Sequence, residues 1–365
     1  MNKLSLVSII LILRFISSSA QSCLPEGITF ETQTQIDSFQ INYPGCTEIE
    51  GDVTVYGGGI NNLNGLSVLT SLGGNLSINC TNNLHELTGL DNITAINGDL
   101  WMAYNDSLTS ITGLESLIII EGNLNIGDGD YTGIPSNPLL SSLSGLCNLS
   151  YIGGDLEIYG WYNFVLTNLD GLENLVYVGG DLWFHYNDSV KSLTGLNNLT
   201  SIGGLLWIYG NPKINSLEAM DNIEPGSITN LRIEYNYELS TCNIQSICDY
   251  LAAPGGSIVI NENATGCNSP GEVQDSCIAN SVSIDEQLLK TSLTIYPNPA
   301  HQDINISADG FEIDNVNLFT LTGHKILQKR PVNGKVDISD LTPGMYIVEV
   351  TVENTRLRKK LLVQR

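Results

Sequence analysis

Residues 180–199 read Gly-Asp-Leu-Trp-Phe-His-Tyr-Asn-Asp-Ser-Val-Lys-Ser-Leu-Thr-Gly-Leu-Asn-Asn-Leu. This segment joins two short motifs, Gly-Asp/Asn-φ-x-φ at its start and φ-x-Gly-Leu-x-x-φ at its end, where φ is an apolar residue. The first motif begins at residues 51, 74, 98, 122, 154, 180, 204 and, in a degenerate form, 229. The second occupies residues 63–69, 87–93, 111–117, 143–149, 169–175, 193–199 and, as a variant, 217–223. This regular recurrence indicates a repeat architecture.

Each repeat predicts one short strand with two inward apolar residues, followed by a turn and an apolar corner. A single unit of this kind cannot bury its own apolar face, so the units must stack and share a core. The sequence therefore predicts a mainly β fold, a parallel β-solenoid of about eight rungs over residues 21–278. One unit is longer than the others, and its extra residues, 128–142, predict a loop on one side of the stack.

The cysteines are concentrated at the two ends of this region. Cys23 and Cys46 flank its start, which predicts one disulfide there. A second group predicts two more disulfides with three alternative connectivities and consists of Cys242, Cys248, Cys267 and Cys277. Disulfide caps suit the open ends of a solenoid, and a zinc site is disfavoured because no Cys-x-x-Cys pair occurs. The states of Cys80 and Cys147 stay open.

The first twenty residues have the pattern of a secretory signal peptide. Lys3 precedes an apolar run over residues 4–16, and small residues follow up to a predicted cleavage site after Ala20. The run is too short to span a bilayer and Arg14 interrupts it. Lipid attachment at Cys23 is the alternative, although the residues before that cysteine match a lipoprotein signal poorly. The mature chain is expected to contain no transmembrane segment.

The two repeated motifs resemble the receptor L domain, a leucine-rich-repeat-like solenoid found in growth-factor receptor ectodomains. The resemblance covers residues 23–278, rests on the fragments Gly-Asp-Leu-x-Ile and Leu-x-Gly-Leu-x-x-Leu, and implies the fold alone. The receptor role is not implied, because no kinase or membrane segment accompanies these repeats.

After a polar linker at residues 279–292, the repeat pattern gives way to short period-2 runs separated by Pro, Gly and Asn. These runs predict a small antiparallel β-sandwich over residues 293–365. The segments Tyr-Pro-Asn-Pro-Ala at 296–300, Asp-Ile-Ser-Asp-Leu-Thr-Pro-Gly-Met-Tyr at 337–346 and the basic end at 358–365 resemble the type A C-terminal sorting domain of the type IX secretion system. That resemblance implies type IX machinery as a partner and a location outside the outer membrane, either secreted or on the cell surface. An ordinary binding sandwich is the alternative.

Charge separates the two predicted regions and excludes one class of function. The chain has a net charge of −24, yet residues 21–283 alone hold three basic and 29 acidic side chains, a net charge of −26. Such a surface repels phosphate backbones and anionic headgroups, so nucleic-acid binding is excluded. The chain has nine Asn-x-Ser/Thr sites, and most of them fall at the same one or two places in each repeat, where stacked asparagines can hydrogen-bond neighbouring turns. We therefore interpret them as structural rather than glycosylated.

Alternation along each strand predicts which side chains point outward. On the later repeats these outward positions hold an unusual concentration of aromatic and charged residues. The candidate ligand-binding residues are Trp101, Glu157, Tyr159, Trp183, His185, Trp207, Tyr209, Arg232 and Glu234. Because neighbouring rungs lie ~4.8 Å apart, Trp183 and Trp207 are expected to stack.

Exposed tryptophans rimmed by carboxylates suit the faces and hydroxyls of sugar rings, and equally a protein partner. An aromatic ladder that only stabilises the sheet, in a structural or self-associating surface protein, is the alternative. A hydrolase is disfavoured, because Glu157 and Glu234 are expected to lie roughly 14 Å apart, too far for a glycosidase pair. The sequence thus predicts a non-catalytic binding or adhesion protein that needs no metal or cofactor. A calcium site at Asp128 and Asp130 would lack further oxygen ligands.

Overall fold

The computed structural model describes residues 21–128, 136–160, 165–281, 292–308, 310–320, 325–331, 334–352 and 355–364. The predicted signal peptide, most of the predicted linker, and Asp130 lie outside these ranges. The chain divides between Cys277 and Ile278 into two compact units, a solenoid unit and a C-terminal unit. Within the described residues, no helix has the length and apolar character that spanning a membrane requires.

The solenoid unit is built around a ten-stranded parallel sheet, the long-strand sheet, in which strand order follows chain order. We number the rungs 1 to 10 by their strands: Ile28–Phe30, Val53–Tyr56, Leu76–Asn79, Leu100–Ala103, Leu124–Ile126, Leu156–Tyr159, Leu182–His185, Leu205–Tyr209, Asn230–Glu234 and Ile258–Asn261. Register is constant over the later rungs, so that Leu156, Leu182 and Leu206 lie directly beside one another. The two apolar residues of each repeat motif are buried in one continuous core.

The predicted parallel β-solenoid is confirmed, with two more rungs than the eight repeats indicated. Rung 1 carries a form of the motif that is one residue shorter, Gly-Ile-Thr-Phe at 27–30, and rung 10 carries Ser in place of Asp or Asn, in Gly-Ser-Ile-Val-Ile at 256–260. A terminal rung has a neighbour on one side only, which relaxes the demand for a full motif. The predicted disulfides cap these ends and pair Cys23 with Cys46, Cys242 with Cys267, and Cys248 with Cys277. Cys80 and Cys147 are free thiols.

A second parallel sheet runs along the solenoid and contains eight two-residue strands, each a few residues before a strand of the long-strand sheet. Its strands are Ser22–Cys23, Glu48–Ile49, Ser71–Leu72, Ala95–Ile96, Ile119–Ile120, Tyr151–Ile152, Tyr177–Val178 and Ser201–Ile202. Short 3-10 helices also occur between the strands of several repeats, at Asn64–Leu66, Ser144–Leu146, Thr194–Leu196, Glu218–Met220 and Pro225–Ser227. Four α-helices cover the ends: Gln33–Asp37 and Phe39–Asn42 at one, Gln245–Ala252 and Pro270–Ser281 at the other.

Close stacking of the turns explains the glycine of the φ-x-Gly-Leu motif. A Cβ atom at Gly195 would lie 2.0 Å from the carbonyl oxygen of Leu169 on the preceding turn. No side chain fits there, because that separation is well inside van der Waals contact. The motif therefore requires glycine at this position because successive turns approach each other too closely for a side chain.

Three ladders of Asp and Asn side chains bind successive rungs together. In the first, each Oδ1 atom accepts a hydrogen bond of 2.7–2.8 Å from the backbone N–H of the next rung, and its members are Asp52, Asn75, Asp99, Asn123, Asp155 and Asp181. The second follows the strands in the interior and contains Asn105, Asn137, Asn187, Asn211, Asn236 and Asn263. In the third, Nδ2 donates to a carbonyl of the preceding turn from Asn92, Asn148, Asn174, Asn198 and Asn222.

These ladders confirm that most of the sequon asparagines hydrogen-bond neighbouring turns, as the structural interpretation expects. Seven of the nine sequon asparagines belong to a ladder, and the exceptions are Asn79 and Asn305. The first ladder also accounts for part of the acidity of the solenoid unit, because four of its six acceptors are aspartates that take backbone N–H donors which would otherwise be unpaired.

The C-terminal unit is the predicted β-sandwich. One antiparallel sheet contains Leu293–Tyr296, Asp303–Ala308 and Lys335–Asp337, and the other contains Asn315–Thr320, Lys325–Lys329, Gly344–Val352 and Thr355–Val363. Alternate residues of both sheets, such as Ile304 and Val348, are buried in one shared core. The strands lie close to the period-2 runs of the sequence because inward and outward residues alternate strictly in a half-buried strand.

Candidate functional site

The outward face of the long-strand sheet brings most of the predicted site residues together. On rungs 6 to 9 the pairing aligns Trp183 with Glu157 and Trp207, and His185 with Tyr159 and Tyr209. Rung 9 adds Arg232 beside Trp207 and Glu234 beside Tyr209. Trp101 lies apart on rung 4, because rung 5 places Asn125 between it and Glu157. The structure therefore assembles eight of the nine predicted residues on adjacent rungs.

Five rings on this face form what we call the aromatic cluster: Tyr159, Trp183, His185, Trp207 and Tyr209. His185 lies at its centre, with ring centroids 4.4 Å from Trp207, 5.1 Å from Tyr159, 5.6 Å from Trp183 and 5.7 Å from Tyr209. Side chains of this size on strands ~4.8 Å apart must cover one another. The cluster is consequently a packed layer on the outside of the sheet.

That packing corrects two sequence-based expectations. Trp183 and Trp207 are neighbours, with centroids 5.3 Å apart, but their planes meet at 64° and do not stack. An edge-to-face arrangement directs the positive ring edge at the negative ring face, which a parallel sandwich does not. The outward direction from strand parity is correct, but exposure does not follow from it. Only Trp101 among the predicted residues is exposed, whereas His185 is 3% exposed and Glu234 is 6% exposed.

Arg232 is the cation of this face and is held in two ways. Its guanidinium carbon lies 4.3 Å from the Trp207 ring centroid, and its Nε donates to Glu234 Oε1 at 2.7 Å. Burial, together with the charge of Arg232, lowers the pKa of His185 from 6.5 to about 4. His185 is therefore neutral at physiological pH. Burial also raises the pKa of Glu157 at the cluster's edge, opposed by its hydrogen bond with Asn125.

Two polar atoms in the cluster are buried without a hydrogen-bond partner among the described residues: His185 Nε2 and Trp207 Nε1. Trp183 offers a contrast, because its Nε1 donates to Asp181 Oδ2 at 3.1 Å. Buried polar atoms are normally paired, since an unmade hydrogen bond costs about 1–3 kcal/mol. The two unpaired atoms belong to neighbouring rings whose centroids lie 4.4 Å apart.

Sequence reasoning missed a second aromatic feature at the edge of the same face. The residue directly after the strand has a left-handed backbone on several rungs, with φ of +58° at Tyr104, +56° at Tyr186, +67° at Gly210 and +60° at Tyr235. Glycine adopts this conformation freely, whereas a residue with a Cβ pays about 1–2 kcal/mol for it. The signal was present in the repeat alignment, where tyrosine or glycine occupies this position on most rungs.

Tyr186 and Tyr235 border a cleft of about 220 Å³, which we call the tyrosine cleft. Its lining residues are Tyr186, Asp188, Tyr209, Gly210, Pro212, Tyr235 and Tyr237. The Tyr209 ring lies 5.1 Å from that of Tyr186 and 5.2 Å from that of Tyr235, at interplanar angles of 79° and 61°. Tyr209 therefore belongs to both the aromatic cluster and the cleft.

No group of three or more metal-ligating side chains with suitable geometry occurs in the described part of the chain. Asp128, one of the two residues considered for calcium, accepts a hydrogen bond from the Tyr104 hydroxyl at 2.8 Å. Glu157 and Glu234 lie on rungs 6 and 9, and Glu234 forms a salt bridge with Arg232.

Residues 294–364 match the family model of the secretion system C-terminal sorting domain. The chain is also similar to an ulvan lyase of Nonlabens ulvanivorans, with 27% identity over 85 residues. That similarity covers 22% of this chain and 16% of the length of the lyase. The C-terminal unit thus contains a type IX sorting domain, which directs secretion to the outer cell surface or the extracellular space.

Proposed function

We propose that this protein is a non-catalytic glycan-binding protein, displayed on the cell surface or released, with the aromatic cluster as its principal contact surface. We further propose that the solenoid is a receptor L-domain-like module used for recognition. The sorting domain supports this proposal because it directs the protein to the cell surface or the extracellular space, where polysaccharides are accessible. The match to an ulvan lyase is too short a part of either chain to carry that enzyme's activity across.

The observation that carries the proposal is the pair of unpartnered polar atoms in the cluster. Trp207 Nε1 is a hydrogen-bond donor, and Nε2 of a neutral His185 can accept. A hydroxyl group can both accept and donate, so the hydroxyls of a sugar supply the partners that the two atoms lack. The surrounding ring faces suit the C–H surfaces of a pyranose. Access to the two atoms then requires the partly exposed tryptophan rings to shift when ligand binds.

Charge limits the class of glycan. With three basic against 29 acidic side chains in residues 21–283, the solenoid unit repels polyanions such as sulfated or uronic-acid polymers. Arg232 does not offset this effect, because it is paired with Glu234 and packed on Trp207. A neutral, hydroxyl-rich polysaccharide is therefore the favoured ligand.

A glycan array probed with the purified chain tests this proposal, beside the double variant Trp183→Ala/Trp207→Ala and the control Trp101→Ala. We expect wild type and Trp101→Ala to bind the same neutral glycans and the double variant to lose binding by at least about tenfold. Binding that is unchanged in the double variant would place the contact elsewhere. A silent array with folded protein would favour a protein partner or a self-associating surface role.

The non-catalytic part of the proposal has its own measurement. Incubation of the protein with each bound polysaccharide, followed by assays for new reducing ends and for unsaturated products, should show no turnover above a heat-denatured control. Sustained turnover would assign the protein to the hydrolases or lyases instead.

A further inference from the structure

The tyrosine cleft combines side chains that the fold alone does not require. Tyr186 and Tyr235 occupy left-handed positions on rungs 7 and 9, where Gly210 occupies the equivalent position on rung 8. The fold thus accepts glycine at this position, and glycine would remove the backbone strain. The same left-handed backbone occurs outside the cleft at Cys80, Tyr104 and Glu262, so the conformation belongs to the turn and not to the cleft. What the fold does not require is that the residues at two such positions, Tyr186 and Tyr235, are both tyrosines lining one cleft, which points to a role for that cleft.

Gly210 keeps the cleft open. A Cβ atom at this position would lie 2.9 Å from Cδ1 of Tyr186, so any side chain there would displace the Tyr186 ring. Tyr209 borders the cleft at roughly right angles to Tyr186 and somewhat less to Tyr235. Tyr237, which is 63% exposed, stands at the rim. The walls are therefore ring faces set at steep angles around a space of about 220 Å³.

The polar groups of the cleft are hydroxyls and one carboxylate, that of Asp188. Burial raises the pKa of Asp188, and the nearby Lys213 opposes this rise. A carboxylate is an acceptor for hydroxyl groups, and ring faces accommodate C–H surfaces. The volume lies below the ~300–1,000 Å³ of drug-sized ligand sites, so the cleft suits a single ring-sized group. The strongly acidic surroundings disfavour an anion here, as they do at the cluster.

We propose that the tyrosine cleft is a second subsite that holds one further pyranose ring of the same neutral glycan. This inference rests on the proposed function, because Tyr209 joins the cleft to the aromatic cluster. A ligand long enough to pass over Tyr209 contacts both places, whereas a short one contacts only the cluster. The cleft thereby makes affinity depend on the length of the oligosaccharide.

The test uses full-length protein and neutral oligosaccharides of two to six units from the cello-, laminari-, manno- and xylo- series, measured by calorimetry. Wild type should gain at least about fivefold in affinity at the length that first reaches the cleft. Tyr235→Gly and Tyr237→Ala should abolish that gain and leave the affinity for the shortest bound oligosaccharide unchanged. Tyr104→Gly is the matched control, because it relieves the same backbone strain on rung 4, outside the cleft, and should keep the gain.

The outcomes separate the two proposals. If wild type binds and the Trp183→Ala/Trp207→Ala variant does not, yet both cleft variants keep the length-dependent gain, the second subsite is wrong and the proposed function stands. If no neutral oligosaccharide or polysaccharide binds to folded wild type, both proposals are wrong. Tyr237 is an exposed rim residue, so its variant remains informative even if Tyr235→Gly fails to fold.

Discussion

The two faces of the long-strand sheet follow different rules. At the first inward position, rungs 6 to 9 all carry leucine, whereas the adjacent outward position carries glutamate, tryptophan, tryptophan and arginine in turn. Inward side chains share one core and must match the rungs on either side. Outward side chains are free of that demand and can differ from one rung to the next. The comparison separates the inward residues that stabilise the solenoid from the outward residues that form its surface.

The largest effect should come from the inward face. Phe184 is 1% exposed and lies on the same strand as Trp183 and His185. We expect Phe184→Ala to lower the free energy of unfolding by about 4 kcal/mol, because it leaves a cavity in the core. Thr54→Ala, on the outward face of rung 2, should change it by less than about 0.5 kcal/mol. Urea unfolding measures both, and equal effects would contradict the division between the faces.

Acidification tests the buried histidine on the outward face, His185. The folded state depresses the pKa of His185 to about 4 from 6.5, so the unfolded chain takes up the proton first as the pH falls. Stability should therefore decline from about pH 6.5 to pH 4, by about 3 kcal/mol in total. His185→Phe removes this contribution, while Glu157, whose raised pKa acts in the opposite direction, is retained in both proteins. Identical pH profiles for wild type and variant would show that His185 is not held neutral.

The interior asparagine ladder lies at the ends of the strands and tests the repeat itself. Asn211 accepts from the backbone N–H of Asn187 at 2.9 Å and donates to the carbonyl of Phe184 at 2.9 Å. Asn211→Ala leaves both groups buried and unpaired, at an expected cost of about 2 kcal/mol. The matched control is Asn222→Ala in the exposed third ladder, where water replaces the lost partner and the cost should be below about 1 kcal/mol. Thermal unfolding that ranks the two variants in reverse would contradict this assignment.

The sequence allowed the inward face to be predicted far better than the outward one. Leucines at a fixed spacing define the strands, because stacking leaves them a single arrangement. Rungs 1 and 10 were not predicted, because each terminal strand has a neighbour on one side only and carries an altered motif. The steric reason for Gly195 could not be derived either, since it depends on a carbonyl oxygen 26 residues earlier in the chain.

On the outward face, alternation along each strand predicted the direction of a side chain but not how deeply it is buried. Trp183 and His185 were correctly assigned to one side, yet the near-complete burial of His185 depends on how four neighbouring rings tilt. The tyrosine cleft was missed for a related reason. Tyr186 and Tyr235 follow the last strand residue, where the backbone turns left-handed and parity no longer applies.

The smallest structural change gives the most direct test of the central claim, that the aromatic cluster reserves a hydrogen-bond donor for a glycan hydroxyl. Trp207→Phe removes the unpartnered Nε1–H and keeps an aromatic ring, so calorimetric titration with the best glycan should show affinity reduced about three- to tenfold. Stability should change by less than about 1 kcal/mol, because removal of the buried unpaired N–H offsets the weaker packing of a smaller ring beside Arg232. Unchanged affinity with unchanged stability would contradict the claim and leave the cluster as a structural layer of the sheet.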